Sequence, residues 1–469
     1  MAQIKFGTDG WRAVIAEDYT FDNVRKVAQA TCEYFKKEGY AKDGLVIGYD
    51  TRFDSEHFAA ATAEVFAANG VKVYLSNNFA PTPVFSYSII EKKAGGGVVI
   101  TASHNPATDN GFKVKPHYGG SASPEIVTAI EGLLDTPIQR MKFQDAVKAG
   151  LVEYFDATEG YIEQLGRMVD IDGIRKSNLK ILVDSMYGAG QGYFPRILSG
   201  GTATVTNMHN ERNPIFPGMH NPEPIARNLT EHIELMKTGK YDIGISNDGD
   251  ADRVGLVDEK GEFVDQLRVY ALLALYMLEV RGERGMIVRS LSTTSMLDQL
   301  GKLYNVPVFE TPVGFKHIGP KMMAENALMG GEESGGFGFR GHIPERDGII
   351  CGLFLADMLV KTGKTVSGLI DWLFEKVGPH YYNRIDFTFE QEKRGEIMQR
   401  IRDNTPKDLA GSKLVNTRFD DGFKYYSEDG SWLLIRFSGT EPIMRAYTET
   451  TSPEKVEAIL AQGRAITGV

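Results

Sequence analysis

Cysteine is almost missing from this chain, with 2 residues in 469. That excludes a disulfide-stapled scaffold and a cysteine-rich zinc protein. Cys32 in "VAQATCEYF" and Cys351 in "GIICGLFLADML" each sit in a helix-like apolar pattern, where a reduced cysteine acts as a small packing residue. Long apolar runs are missing too: no stretch approaches the roughly 18 uninterrupted apolar residues of a membrane span. The start, "MAQIKFGTDGWR", has no signal-peptide core. The expectation is a cytoplasmic protein with no membrane partner. Nor is there a basic surplus, since 52 Lys and Arg against 62 Asp and Glu leave a net charge of −10. This argues against a general nucleic-acid binder. It leaves room for an anionic small substrate, which a local cluster of cations can hold whatever the net charge.

What is present is a folded multidomain chain, 42% hydrophobic and 24% charged. By length it holds roughly three or four domains. Short β-branched runs alternate with helical patterns three times over. "GLVIGYD" (44–50), "VKVYLS" (71–76) and "GGVVITA" are strands separated by an amphipathic stretch over Phe53–Asn69 and by "PVFSYSIIEKK". "LKILVDS" (179–185), "TATVTNM", a helix near 224–238 and "YDIGISND" (241–248) follow. "GMIVRSLS" (285–292), a helix over Thr294–Tyr304, "VPVFETP", a helix after Gly314 and "ALMGGEES" form the third series. Such alternation predicts parallel sheets covered by helices. The repeat lies in topology, not in residue-level periodicity. Linkers are expected at about 145–160, at the hairpin-like "VGLVDEKGEFV" (254–264) and at "KVGPHYYN" (376–383). Beyond the last comes a strand, a charged helix near 390–403, further strands and a closing helix from Pro453, a smaller α+β domain. Boundaries are thus expected at 1–150, 151–256, 257–375 and 376–469.

The polar, glycine-rich segments follow strands, where ligands of open α/β sheets bind. In "SNDGDADR", Asp248, Asp250 and Asp252 alternate with small residues, so an extended backbone would turn three carboxylates to one point. Crowded carboxylates repel unless a cation sits among them, and hard oxygen ligands suit Mg²⁺ or Ca²⁺. A calcium-binding helix-loop-helix reading fails because Arg253 stands where its turn needs glycine and the flanks read as strands. In "TASHNPATDNGFKVK", Ser103 is a nucleophile only if activated. Continued strand geometry would turn His104 to the opposite face. If Ser103 carries a phosphoryl group, one of its oxygens completes the coordination of a metal on the three aspartates. Lys113 then serves as proton shuttle or charge stabiliser. "RFSGTEP" offers a phosphate nest in Arg436, Ser438, Gly439 and Thr440, although Ser-Gly-Thr is also ordinary turn chemistry. In "GGEESGG", Glu332 and Ser334 are suited to sugar hydroxyls, and Arg12 in "FGTDGWR" and Lys316 in "TPVGFK" add positive charge.

Taken together and in this order, the segments resemble the α-D-phosphohexomutase superfamily, the enzymes similar to phosphoglucomutase and phosphomannomutase. "TASHNP" with "DGDADR" is the most specific pair, and the resemblance runs from "FGTDGWR" to "RFSGTEP". It implies four domains around a central cleft: three related α/β domains with mixed, largely parallel sheets and a smaller α+β C-terminal one. It implies Mg²⁺ held by Ser103 as phosphoserine with Asp248, Asp250 and Asp252. Arg12, His104 and Lys113 match catalytic-centre positions, and Arg253 and Lys316 match substrate contacts. Glu332 and Ser334 match the sugar-hydroxyl readers, and Arg436, Ser438, Gly439 and Thr440 the phosphate loop. The implied reaction interconverts hexose 1-phosphate and hexose 6-phosphate, with glucose 1,6-bisphosphate or its cognate as activator. "GFK" (314–316) is more similar to the phosphoglucomutase branch, and Gly336 stands where the phosphomannomutase branch often has histidine. Ala251 replaces a glycine common in the metal loop. Glucose is favoured and mannose fits, while "FGTDG" is also seen in phosphoglucosamine mutases. A phosphopentose mutase, a Mg²⁺-dependent sugar phosphatase and a non-catalytic binding relative are the alternatives. Oligomeric state is not set by these residues.

Overall fold

The computed structural model describes residues 4–438 and 442–469. The central strands of the first helix-covered sheet are apolar runs. Leu45–Tyr49 and Gly96–Ile100 are buried at every position, as parallel strands with helices on both faces must be. The helices are delimited locally. Phe21–Lys37 begins where the Thr20 side chain accepts the Asn23 N–H, and ends on Lys36 and Lys37, which suit its negative end. Both cysteines are free and buried, Cys32 in this helix and Cys351 in Gly348–Thr362.

Three sheets repeat one topology. In the first, Leu45–Tyr49 pairs parallel with Val73–Ser76 on one side and with Gly96–Ile100 on the other, and Asp109–Pro116 returns antiparallel beside the latter. In the second, Lys180–Asp184, Thr204–Met208, Ile243–Asn247 and Val254–Val257 take the same four places. In the third, the places go to Ile287–Ser290, Val308–Thr311, Met329–Gly331 and Phe337–Phe339. The C-terminal domain is one antiparallel sheet, with helices Arg394–Asp403 and Pro453–Thr467. The architecture is therefore three related α/β domains with mixed sheets and a distinct α+β C-terminal domain whose sheet is antiparallel.

Several sequence expectations shift. The hairpin at 254–264 is no linker: Val254–Val257 and Phe263–Val264 are the last strands of the second sheet. The segment 145–160 contains Val152–Phe155, which pairs with Val73–Ser76 and extends the first sheet past residue 150. The helix expected near 224–238 is confined to Thr230–Met236, preceded by a single 3₁₀ turn at Ala226–Asn228. Pro222 and Pro224 hold the approach out of helical geometry.

Candidate functional site

Three polar loops share one construction: each joins a strand to an antiparallel partner. "TASHNPAT" turns between Gly96–Ile100 and Asp109–Pro116, and "DGDADR" between Ile243–Asn247 and Val254–Val257. "EESGG" turns between Met329–Gly331 and Phe337–Phe339. Backbone carbonyls and N–H groups at such turns are not consumed by the ladder. They are free to bind side chains and ligands.

Ser103 is fully buried, with its backbone in the left-handed region at φ 52°. That turn places Oγ 2.7 Å from Asp248 Oδ2, to which it donates, and 3.2 Å from His104 Nδ1. The expectation that His104 faces away is therefore overturned: the strand has ended, and the left-handed residue brings the imidazole round to Oγ. Burial, then the charges of Arg253, Arg12 and Lys113, hold His104 well below the ordinary histidine range. Arg12, half-buried on Trp11–Val14, donates through Nη1 to Asn105 Oδ1 at 2.6 Å.

Asp248, Asp250 and Asp252 converge, their nearest carboxylate oxygens all within 4.8 Å of one another. A turn with Ala251 at φ 55° achieves this, not the extended backbone expected. Burial, and then repulsion from Asp252 and Asp250, push the Asp248 carboxyl well above the ordinary range. Lys113 lies opposite Val99 in the returning strand, and its Nζ is 2.8 Å from Asp250, 3.0 Å from Asp252 and 2.8 Å from Asp9. Burial works against its charge, but these carboxylates outweigh it and raise the lysine above its ordinary range. Asp250 Oδ1 and Asp252 Oδ1 are buried with no hydrogen-bond partner among the described residues. Orphaned carboxylate oxygens at the focus of three aspartates fit a hard divalent cation.

Residues the sequence did not single out complete the centre. Asp9, in the quoted "FGTDG", binds both Lys113 and Arg346. Arg346 spans Asp252 at 2.9 Å, Glu345 at 3.1 Å and Glu332 at 3.7 Å. Thr82 Oγ1 donates to Asp250 Oδ2 at 2.5 Å. Only the "TP" at a helix start hinted at Thr82, and nothing local marked Arg346. Its bulk also explains Gly336, where any side chain would collide with the Arg346 side chain.

The remaining expected residues divide. Glu332 is buried beside Arg346, and burial raises its carboxyl above the ordinary range. The backbone of the next turn residues is tied to the aspartate loop, since Val254 N–H donates to the Gly335 carbonyl at 3.0 Å. Ser334, half-buried, lies in the same turn. Arg253 is buried, with Nη1 on Glu223 at 3.2 Å. Lys316 is half-buried in the first turn of Phe315–Glu325. Arg436 donates through Nε and Nη2 to Asp421 Oδ1, while Asp421 Oδ2 accepts the Val313 N–H at 2.7 Å. Asp421 thus links Arg436 to the segment that leads into the helix carrying Lys316. Ser438 N–H donates to the Ile443 carbonyl at 2.8 Å. Gly439 and Thr440 lie outside the described residues.

Comparison with known proteins places this architecture. Models for phosphoglucomutase/phosphomannomutase alpha/beta/alpha domains I, II and III match residues 3–141, 159–261 and 265–377, and the C-terminal domain model matches 390–465. A phosphoglucomutase/phosphomannomutase of Thermococcus kodakarensis is 32% identical over 459 residues, 98% of this chain and 97% of that one. A phosphoglucosamine/phosphogalactosamine mutase of Sulfurisphaera tokodaii is 30% identical over 449 residues, 95% of this chain and 94% of its own length. A solved structure from Thermus thermophilus superposes with a TM-score of 0.87 at 34% identity, covering 100% of both chains. With every domain model matched in chain order, the chain belongs to the phosphoglucomutase/phosphomannomutase family of the α-D-phosphohexomutase superfamily, isomerases that transfer a phosphoryl group intramolecularly.

Proposed function

We propose that this phosphomutase interconverts hexose 1-phosphate and hexose 6-phosphate, with glucose first among the sugars, through phosphoserine at Ser103 and a bound hexose 1,6-bisphosphate. The observation that carries the reading is the Ser103 hydroxyl, 2.7 Å from Asp248 within a carboxylate group whose Asp250 and Asp252 retain orphaned oxygens. Asp248, Asp250, Asp252 and phosphorylated Ser103 would hold Mg²⁺, which stabilises charge on the transferring phosphoryl group. In the first half-reaction the sugar hydroxyl attacks phosphorus, the bond to Ser103 Oγ breaks, and Oγ takes a proton. In the second, Oγ attacks the other phosphate of the reoriented bisphosphate, and the freed sugar oxygen takes the proton. His104, beside Oγ, is placed to exchange that proton. Lys113, held charged by three carboxylates, stabilises the anionic phosphoryl group as it moves.

Arg253 and Lys316 serve as substrate contacts, and Glu332 and Ser334 read the sugar hydroxyls. Arg436, Ser438, Gly439 and Thr440 take the phosphate that is not reacting. Contacts to the 3- and 4-hydroxyls discriminate poorly between sugars that differ at C2. A second reading, glucosamine phosphate, is favoured by the name of the Sulfurisphaera relative.

The test is formation of glucose 6-phosphate from glucose 1-phosphate with Mg²⁺, with and without trace glucose 1,6-bisphosphate. Bisphosphate should stimulate the wild type, and Ser103→Ala should lower kcat by about 10³-fold or more. Undiminished turnover in the variant would sink the role of Ser103. Higher kcat/KM on glucosamine 1-phosphate would move the assignment to the second reading. Steady release of inorganic phosphate would point to a phosphatase.

A further inference from the structure

Arg52 lies in "YDTRFDS", just beyond the strand Leu45–Tyr49, and is completely buried. A guanidinium so far from water needs partners for its fork of N–H donors. Nearly all of them are carbonyl oxygens of one loop. Nη2 donates to Ser103 at 2.7 Å and Asn105 at 2.5 Å, and Nη1 to Pro106 at 2.7 Å and Asp109 at 2.9 Å. Asp50 supplies the countercharge at 3.5 Å, and the Phe216 ring packs 5.1 Å from the guanidinium carbon.

A second arginine fixes the first from outside. Arg212 donates to the carbonyls of Thr51 at 3.0 Å and Arg52 at 3.1 Å, and grips both oxygens of Glu56 at 3.0 and 2.6 Å. Phe216 and Arg212 belong to the second domain and Arg52 to the first. The clamp therefore also sets how the Ser103 loop meets the aspartate loop.

The loop held this way decides where Ser103 points. Ser103 occupies a left-handed conformation that side-chain-bearing residues avoid. Its carbonyl is pressed between Arg52 and Gly249, where a side chain would collide with it. The next carbonyl, of His104, is taken by Asn221 Nδ2 at 2.8 Å. Converging carbonyl dipoles repel one another, and a planar guanidinium satisfies them as a lysine ammonium cannot.

We propose that Arg52 is a positioning residue for phosphoryl transfer, gathering the loop carbonyls so that the Ser103 hydroxyl is held against Asp248. The inference rests on the reading of Ser103 as phosphoryl carrier. Its signature is a loss in kcat with little change in KM, because Arg52 orients the reacting serine without touching the sugar.

The experiment compares wild type, Arg52→Lys and Arg212→Gln. Thermal unfolding, phosphate on Ser103 by mass spectrometry after incubation with glucose 1,6-bisphosphate, and kcat and KM per phosphorylated site are measured. Arg52→Lys should keep KM within about threefold and lose about 100-fold in kcat, the cost of a displacement near 1 Å. Arg212→Gln should lose about tenfold in kcat. If Arg52→Lys does not fold, Arg212→Gln decides alone. A wild type that acquires phosphate on Ser103, beside folded variants with unchanged kcat, overturns this inference alone. A wild type that turns over without ever acquiring it overturns the phosphoserine reading, and this inference with it.

Discussion

Ser103 is surrounded by its neighbour His104 and by residues distant in the chain. Asp248 receives its hydroxyl, and Lys113 offsets the charge of Asp250 and Asp252. Thr82 orients Asp250 through a hydrogen bond and, through its own N–H, binds the Asp250 carbonyl at 2.9 Å. A hydroxyl that orients a ligating carboxylate in this way typically governs metal affinity by about 10–100-fold. Thr82→Val, which keeps the shape and removes the donor, is accordingly expected to raise the Mg²⁺ concentration for half-maximal activity about 10-fold or more, with kcat at saturating Mg²⁺ within a few-fold of wild type. A Mg²⁺ titration of initial rates checks this, and an unshifted curve would mean that Asp250 needs no such support.

Among elements, the returning strands matter most. Each places its polar turn at the edge of a rigid sheet, so the turn is held without being consumed by ladder hydrogen bonds. The strand Val308–Thr311 has a different task, because its Glu310 joins the third domain to the fourth. It receives Arg289 within its own domain, and Arg418 at 2.8 Å, Lys424 at 3.0 Å and Tyr426 at 2.7 Å from the C-terminal sheet. Burial would raise this carboxyl, but Arg289 and Lys424 prevail and hold it down to about 2. A glutamate depressed in the folded state stabilises fully above its unfolded value of about 4.3, and that contribution fades as pH falls toward the folded value. Glu310→Gln should therefore cost about 3 kcal/mol at pH 7, with the gap to wild type narrowing below about pH 4.3. Denaturant melts from pH 7 to pH 3 test it; a constant gap across that range would contradict the assignment.

At the scale of the whole molecule, the cores are unequally shared. One large apolar cluster runs through the second and third domains, takes in Val84 and Phe85 of the first, and reaches Trp432, Leu434 and Tyr447 of the last. The first domain has a further core of its own, and so does the C-terminal sheet, around Ile401, Tyr425 and Ile459. Calorimetry is thus expected to resolve at least two transitions, with the C-terminal domain separating from the rest. A single transition whose calorimetric and van't Hoff enthalpies agree would refute it.

Strand-helix alternation, the positions of the polar turns, the three aspartates and Ser103 were all legible in the sequence, because local patterning and side-chain chemistry carry them. So was the family resemblance that the domain matches bear out. The left-handed turn at Ser103 brought His104 to its hydroxyl, while long-range packing brought Asp9 and Arg346 into the ion network and bound Arg52 to the Ser103 loop. "YDTRF" reads as an ordinary loop because nothing adjacent to Arg52 in sequence supplies its main partners. Those partners are backbone carbonyls some 50 positions away (Ser103 is 51 residues on), and carbonyls are identical in every sequence. What they bind depends on where the chain brings them, and only the packed domains settle that.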